Sequence, residues 1–183
     1  MRRQCGDCQL CCKLLPVRSI DKPAGKPCRF QKFHKGCTVY HTAKMPFECA
    51  VWNCRWLVND DTADLPRPDR AHYVIDLMPD YVTHIDDETG ERQNIQVVQI
   101  WVDPKHPEAR HDPALRRYMF RRAQEGIAAI IRFSDRIAVA IFAPAFDAGG
   151  KWHEITRGIQ ETTHAFTDIV QALGGKARMV VTP

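Results

Sequence analysis

Cys5, Cys8, Cys11, Cys12, Cys28, Cys37, Cys49 and Cys54 all fall in the first 54 residues of a 183-residue chain, and the 129 residues that follow contain no cysteine. A distribution that uneven needs a local cause. Thiolates are soft anionic ligands, and in a reducing compartment a tight group of them reads as metal ligands more readily than as four disulfides. All eight are therefore candidate ligands. The run Cys5-Gly-Asp-Cys8-Gln-Leu-Cys11-Cys12 is a CxxCxxCC pattern. If it is helical, Cys5, Cys8 and Cys12 share one face and Cys11 falls just off it. Gly6 favours a turn at Cys5, the knuckle that lets thiolates at i and i+3 converge on one metal. Adjacent Cys11 and Cys12 do not suit a single mononuclear ion. One of them binds a second centre, bridges two metals or is a spare thiol.

Two metal chemistries remain open. Cys5, Cys8 and Cys11 match three quarters of a ferredoxin-type C-x2-C-x2-C-x3-C-P run, but Leu15 stands before Pro16 where the fourth cysteine belongs. Cys28, Cys37, Cys49 or Cys54 would have to replace it. Zinc takes four tetrahedral thiolates, and eight cysteines could make two such sites. His34 and His41 could stand in for a thiolate, although a histidine in a basic loop is usually solvated. The CxxxCxxC of radical enzymes is absent, because Cys8-x3-Cys12 would also need a cysteine at position 15. Spacing alone leaves zinc and an iron–sulfur cluster as equal expectations.

The charge pattern follows the cysteines. Residues 1–60 carry eleven Lys/Arg against four acids, a net +7, which leaves −3 for the remainder. Basic side chains around anionic thiolates offset their charge and are expected to lower the thiol pKa values. A nucleic-acid surface is the weaker reading of the same charge. The stretch has only about a dozen large apolar residues besides its cysteines, and segments that small usually need a staple. The longest apolar run, Ile137–Phe146, is interrupted by Pro144 and too short to span a bilayer. Met1-Arg-Arg-Gln-Cys5 has no apolar region behind its charges, so the expectation is a cytoplasmic protein with no membrane partner.

The CxxCxxCC start, Cys28 after a Pro-Gly loop, Gly36-Cys37-x-x-Tyr40, Pro46-x-x-Cys49 and the closing Cys54 together resemble the YkgJ-type cysteine-cluster family, over about residues 5–56. The resemblance implies a zinc- or iron-chelating domain in which the matching cysteines are the ligands. A related cluster occurs in the flagellin lysine methylase. The chain departs from the family in one segment: the Tyr40 to Pro46 gap is longer, Met45 stands for an arginine, and Ala50 follows Cys49. That puts a role for the family's arginine in doubt and leaves the ligand set intact.

The elements that must position these residues read as α+β: an N-terminal metal-stapled cysteine-rich region, then an antiparallel sheet with two or three helices. The expected division is 1–62 for the cysteine region and 63–183 for the platform, with Asp64–Arg70 as a proline-marked linker. Ser19–Pro27 reads as a loop and Thr38–Tyr40 as a short strand. His72–Met78, Tyr81–Ile85 and Ile95–Val102 read as strands, with a turn over Asp86–Glu91. Asp112-Pro113 caps a helix reaching about Gln124, with Leu115, Tyr118, Met119 and Ala123 on one side. Ile127–Phe133 and Arg136–Phe142 form a hairpin, a helix runs from about Ile159 to Leu173, and Arg178–Thr182 adds an edge strand.

Other chemistry is thin. Arg116, Arg117, Arg121 and Arg122 could hold phosphate but read as a solvated face. His164 with Asp168 reads as a surface pair, and His153-Glu154 has no nucleophile beside it. Phosphate loops, GxGxxG, HExxH and GxSxG are absent. The sequence thus predicts a metal-binding protein whose centre is structural or redox-active. An alternative is a cluster-dependent enzyme acting on a protein or small-molecule partner, its centre rimmed by Phe30, Phe47, Trp52 and Trp56. A basic zinc module for nucleic acid is the third.

Overall fold

A computed structural model describes residues 3–32, 35–76, 80–86, 89–90, 92–134, 137–142, 157–158 and 177–181. The chain is α+β, and it forms two compact units: residues 1–78 with 100–116 and 133–135, and residues 79–99 with 117–132 and 136–183.

The first unit carries every cysteine. Its helices are short: α1 (Leu10–Leu14), α2 (Phe47–Val51), α3 (Arg55–Val58) and α4 (Pro68–Ala71). Between α1 and α2 lies a two-residue hairpin, β1 (Gln31–Lys32) against β2 (Gly36–Cys37). The predicted strand at Thr38–Tyr40 is instead a chain of turns. Thr38 gives both its N–H and its hydroxyl to the Phe30 carbonyl, and Tyr40 N–H turns back to Cys37. Helix α1 also starts later than a continuous CxxCxxCC helix would, because Gly6 at φ 55° turns the chain between Cys5 and Cys8. Asp64–Arg70 lies within this unit, where Leu65 is buried and Pro68 supplies the first residue of α4.

The core under the cysteines comes from far along the chain. β3 (Tyr73–Ile75) pairs antiparallel with residues 100–102, in the register Tyr73↔Val102, Val74↔Trp101 and Ile75↔Ile100. All six side chains are buried. Leu10, Leu14 and Cys8 pack with Val74 and Trp101, and Cys11, Leu15, Trp52 and Cys54 close over that cluster. An isolated bridge between Cys54 and Asp76 ties the last cysteine to the same strand. The first cysteine run and the closing one therefore sit on a common apolar floor.

In the second unit β4 (Asp80–Asp86) pairs antiparallel with β5 (Arg92–Val102), from Asp80↔Val97 to Ile85↔Arg92, and the expected strands are present. Helix α5 (Pro113–Gln124) is capped as its sequence requires, with the Ala114 N–H donating to Asp112 Oδ1 at 2.7 Å. Leu115, Tyr118 and Met119 are fully buried and Ala123 is half-buried. β6 (Ala128–Arg132) pairs with β7 (Ile137–Phe142), β8 (Arg157–Gly158) follows β7, and β9 (Ala177–Val181) lies at the edge against β4. The sheet order is β8-β7-β6-β5-β4-β9. The helix expected at Ile159–Leu173, with His164 and Asp168, lies outside the described residues, as do His153 and Glu154. No helix among the described residues is long and apolar enough to cross a membrane.

Candidate metal centre

Side chains separated by up to 49 positions come together in the first unit. All eight cysteines line one cavity of about 550 Å³, whose remaining walls are mainly apolar and aromatic. No cysteine is in a disulfide. The knuckle forms as its glycine predicts: Cys8 N–H donates to the Cys5 carbonyl at 3.0 Å. Gly36 brings the hairpin against that knuckle. It sits at φ 78°, and a Cβ there would lie 2.9 Å from the Gly6 carbonyl oxygen, so only glycine lets β2 deliver Cys37 beside the Cys5 turn. Cys49 comes from α2, and Cys54 directly precedes α3.

The thiols are not drawn into a tight knot. Among the described residues, the one set of three Cys, His or acidic side chains whose ligand atoms all lie within 4.8 Å of one another is His72, Asp103 and His106. That set is poorly built for an ion. The two imidazoles are stacked, with centroids 3.7 Å apart and planes 15° from parallel. Their in-plane lone pairs therefore run alongside each other rather than converging. Asp103 already accepts from the Lys13 ammonium and from the Lys105 N–H at 3.0 Å. His72 and His106 lie 34 positions apart and no spacing motif announces the grouping.

Electrostatics around the thiols differ from the expectation that basic neighbours lower their pKa values. Burial pushes Cys5 and Cys49 up to about 11 and Cys54 up to about 12, with neighbouring thiolates adding to the rise. Burial also raises Cys8 and Cys37. Cys11 is raised first by its hydrogen bond with Cys12 and then by burial. Cys12 alone goes the other way, to about 7, through that hydrogen bond and the Lys22 charge. Part of the +7 of the sequence is engaged elsewhere. Arg3 donates to the Trp56 carbonyl and to Thr62, Lys13 pairs with Asp103, and Arg55 pairs with Asp61 at 2.9 Å.

Lys22 and Arg67 do act on the sulfurs. Lys22, which the sequence placed in a loop, is only 6% exposed. Its ammonium donates to the carbonyls of Lys13, Leu15 and Pro23. Burial lowers its pKa, and the nearby Cys28, Cys12, Cys11 and Cys49 thiolates act to raise it. Arg67, held by Asp7 at 2.9 Å and Asp69 at 2.6 Å, acts on Cys5 and Cys8.

The lining also carries an unsatisfied donor. Trp52 borders the cavity, and its indole N–H is buried with no hydrogen-bond partner among the described residues. Eight thiols bordering one cavity are the donor set of a sulfur-ligated centre, so the residues present fit one. Phe30 and Phe47 line the same cavity, with Phe47 three-quarters exposed, while Trp56 is tied by its N–H to the Leu65 carbonyl at 3.0 Å. His41 lies against Tyr40, ring centroids 4.0 Å apart, and His34 lies outside the described residues. No protein family, curated protein or solved structure matches the chain.

Proposed function

We propose that the protein binds metal through its eight cysteines, as an iron–sulfur protein with a structural or redox role. The observation that carries this reading is the single cavity of about 550 Å³ bordered by all eight thiols. Two features favour a cluster over single ions. The space greatly exceeds what one ion needs. A tetrahedral zinc site, with Zn–S near 2.3 Å, holds its sulfurs about 3.8 Å apart, whereas no three of these sulfurs lie within 4.8 Å of one another. A cluster spreads its thiolates over several irons and bridges a wider gap. The likeness to the YkgJ-type pattern agrees with this reading.

Zinc keeps one specific observation on its side. Cys5, Cys8, Cys11 and Cys54 also border a recess of only about 20 Å³, the size of a single small body. Either centre would be bound by deprotonated sulfur, and the raised thiols mean that binding releases protons and weakens as pH falls. The test is a visible spectrum of protein purified without oxygen, with metal and acid-labile sulfide counted on the same sample. A brown sample with iron and sulfide supports the proposal. A colourless sample with zinc moves the role to structure, and one with no metal after reconstitution ends the reading.

A further inference from the structure

The eight cysteines are not equivalent in space. Cys5, Cys8, Cys11 and Cys54, together with Trp56, Leu57, Pro68 and Val74, line the small recess, and none of the other four cysteines borders it. Three of these four, Cys8, Cys11 and Cys54, belong to the apolar cluster built on Leu14, Val74 and Trp101. Cys12, Cys28, Cys37 and Cys49 border only the large cavity. Cys28 and Cys37 frame the β1–β2 hairpin, in which the Gln31 N–H returns to the Cys28 carbonyl at 3.0 Å and Gln31 pairs with Cys37.

For Cys54, Cys49 and Cys37 the neighbouring thiolates follow the same division. Cys54 feels Cys8 and Cys5. Cys49 feels Cys12, Cys28 and Cys37, and Cys37 feels Cys12 and Cys28. The boundary runs between Cys11 and Cys12, which face each other, and between Cys5 and its neighbours Cys12 and Cys37. Arg67 acts on Cys5 and Cys8, while Lys22 lies among Cys28, Cys12 and Cys49 and also near Cys11, at the boundary between the quartets. Helix geometry permits the split: successive residues of α1 project about 100° apart, so neighbouring thiols can serve different centres.

We propose that the chain holds two tetrathiolate centres, one on Cys5, Cys8, Cys11 and Cys54 and the other on Cys12, Cys28, Cys37 and Cys49, with the adjacent Cys11 and Cys12 serving different ones. This rests on the metal-binding reading above and adds the number of centres and their ligands. It also explains why the motif ends in a cysteine pair: the second cysteine starts a second site.

The experiment counts metal and sulfide per chain, after anaerobic purification and reconstitution with iron and sulfide or with zinc, in the wild type and in alanine variants. Cys54→Ala and Cys49→Ala should each lose one half of the metal. Cys5→Ala combined with Cys54→Ala should lose no more than Cys54→Ala alone, whereas Cys54→Ala with Cys49→Ala should lose nearly all. Cys11→Ala should match Cys54→Ala in spectrum, and Cys12→Ala should match Cys49→Ala. If Cys11→Ala and Cys12→Ala lose the same centre, or if a double within one quartet empties the chain, the partition is wrong and metal binding stands. If the wild type takes up no metal, both fail. Should variants not fold, stepwise chelation of the wild type with alkylation of the released thiols gives the same answer. Each quartet should be labelled as a group, and mixed labelling overturns the partition.

Discussion

The cysteine stretch and the antiparallel sheet are held by opposite means. From Leu10 to Val58 the helices are five, five and four residues long, and strand pairing amounts to the hairpin Gln31–Lys32 against Gly36–Cys37. Helices that short do not persist on their own hydrogen bonds. In the sheet, β4 pairs with β5 through six residues and with β9 through five. The sheet's order is written in its backbone ladder. That of the cysteine stretch depends on side chains: a floor of Leu14, Val74 and Trp101, a buried Lys22 collecting three carbonyls, and eight thiols around a space. On the proposed function, a region built that way would be completed by what its sulfurs bind.

The largest expected effect follows from that contrast. Structural thiolate sites can supply roughly 10–16 kcal/mol of folding free energy. Stripping metal with a chelator should therefore remove hydrogen-exchange protection from the amides of Leu15, Thr38 and Trp52, all hydrogen-bonded within the cysteine stretch. The amides of Ala129 to Arg132, in β6, should keep theirs. Equal loss in both regions would mean that the stretch is no more metal-dependent than the sheet.

A pair of glycines sharpens the comparison at the next level. Gly36 and Gly90 both have positive φ, 78° and 70°. Nothing lies within 4 Å of a Cβ on Gly90, so Gly90→Ala should cost only the left-handed backbone penalty, about 1–2 kcal/mol. At Gly36 the added methyl also meets the Gly6 carbonyl at 2.9 Å, and backbone there must move. Gly36→Ala should cost about 3 kcal/mol or more, combining that penalty with local strain, and should weaken metal retention. Urea unfolding of the two variants reads the difference; similar costs would show that the hairpin is not pressed against the Cys5 turn.

How much of this was legible in the sequence depended on the range of the interactions. The knuckle at Gly6, the Asp112 cap and the strands around Tyr73 to Val102 are signalled by residues a few positions apart, and they form where those signals lie. The strand expected at Thr38–Tyr40 failed because β-branched composition competes there with hydrogen bonds to Phe30 and Cys37 that close turns. The pKa values of Cys5, Cys8, Cys37, Cys49 and Cys54 rise rather than fall because counting charges along the chain ignores burial, and because Arg3, Lys13 and Arg55 have other partners. Lys22 was not identifiable from Asp21-Lys22-Pro23; its burial depends on carbonyls on both sides of it in the chain. The equivalence of the eight cysteines in sequence likewise hides their separation into those that border the recess and those that do not.

Lys22 and Cys12 provide a smaller effect. Lys22→Met should remove the ammonium's hydrogen bonds to the Lys13, Leu15 and Pro23 carbonyls and cost about 1–3 kcal/mol. In the metal-free chain Cys12 should be the first thiol alkylated, its rate rising with pH through about 7. Cys11→Ala should move that midpoint upward, since the Cys11 hydrogen bond is the larger cause, and Lys22→Met should move it upward by less. A thiol lowered in the folded state stabilises the metal-free fold fully above the ordinary thiol range, and that contribution is lost as pH falls through about 7. Uniform alkylation of all eight cysteines would contradict this ordering.

The smallest effect concerns Asp103, whose carboxylate lies under α1 through Lys13. Burial acts to raise its pKa, but the hydrogen bonds from Lys13 and from the Lys105 N–H outweigh it and the carboxyl ends below its ordinary value. An acid depressed in the folded state contributes stability that is fully present above the unfolded carboxylate range and is lost as pH falls through the folded value. Asp103→Asn should therefore cost about 1 kcal/mol near neutrality, and the difference from wild type should vanish in strong acid. Because Lys13 belongs to the helix that carries Cys11 and Cys12, the loss should appear in the unfolding of the cysteine stretch and leave exchange in β6 unchanged. A loss that is independent of pH would assign Asp103 a packing role in place of an ionic one.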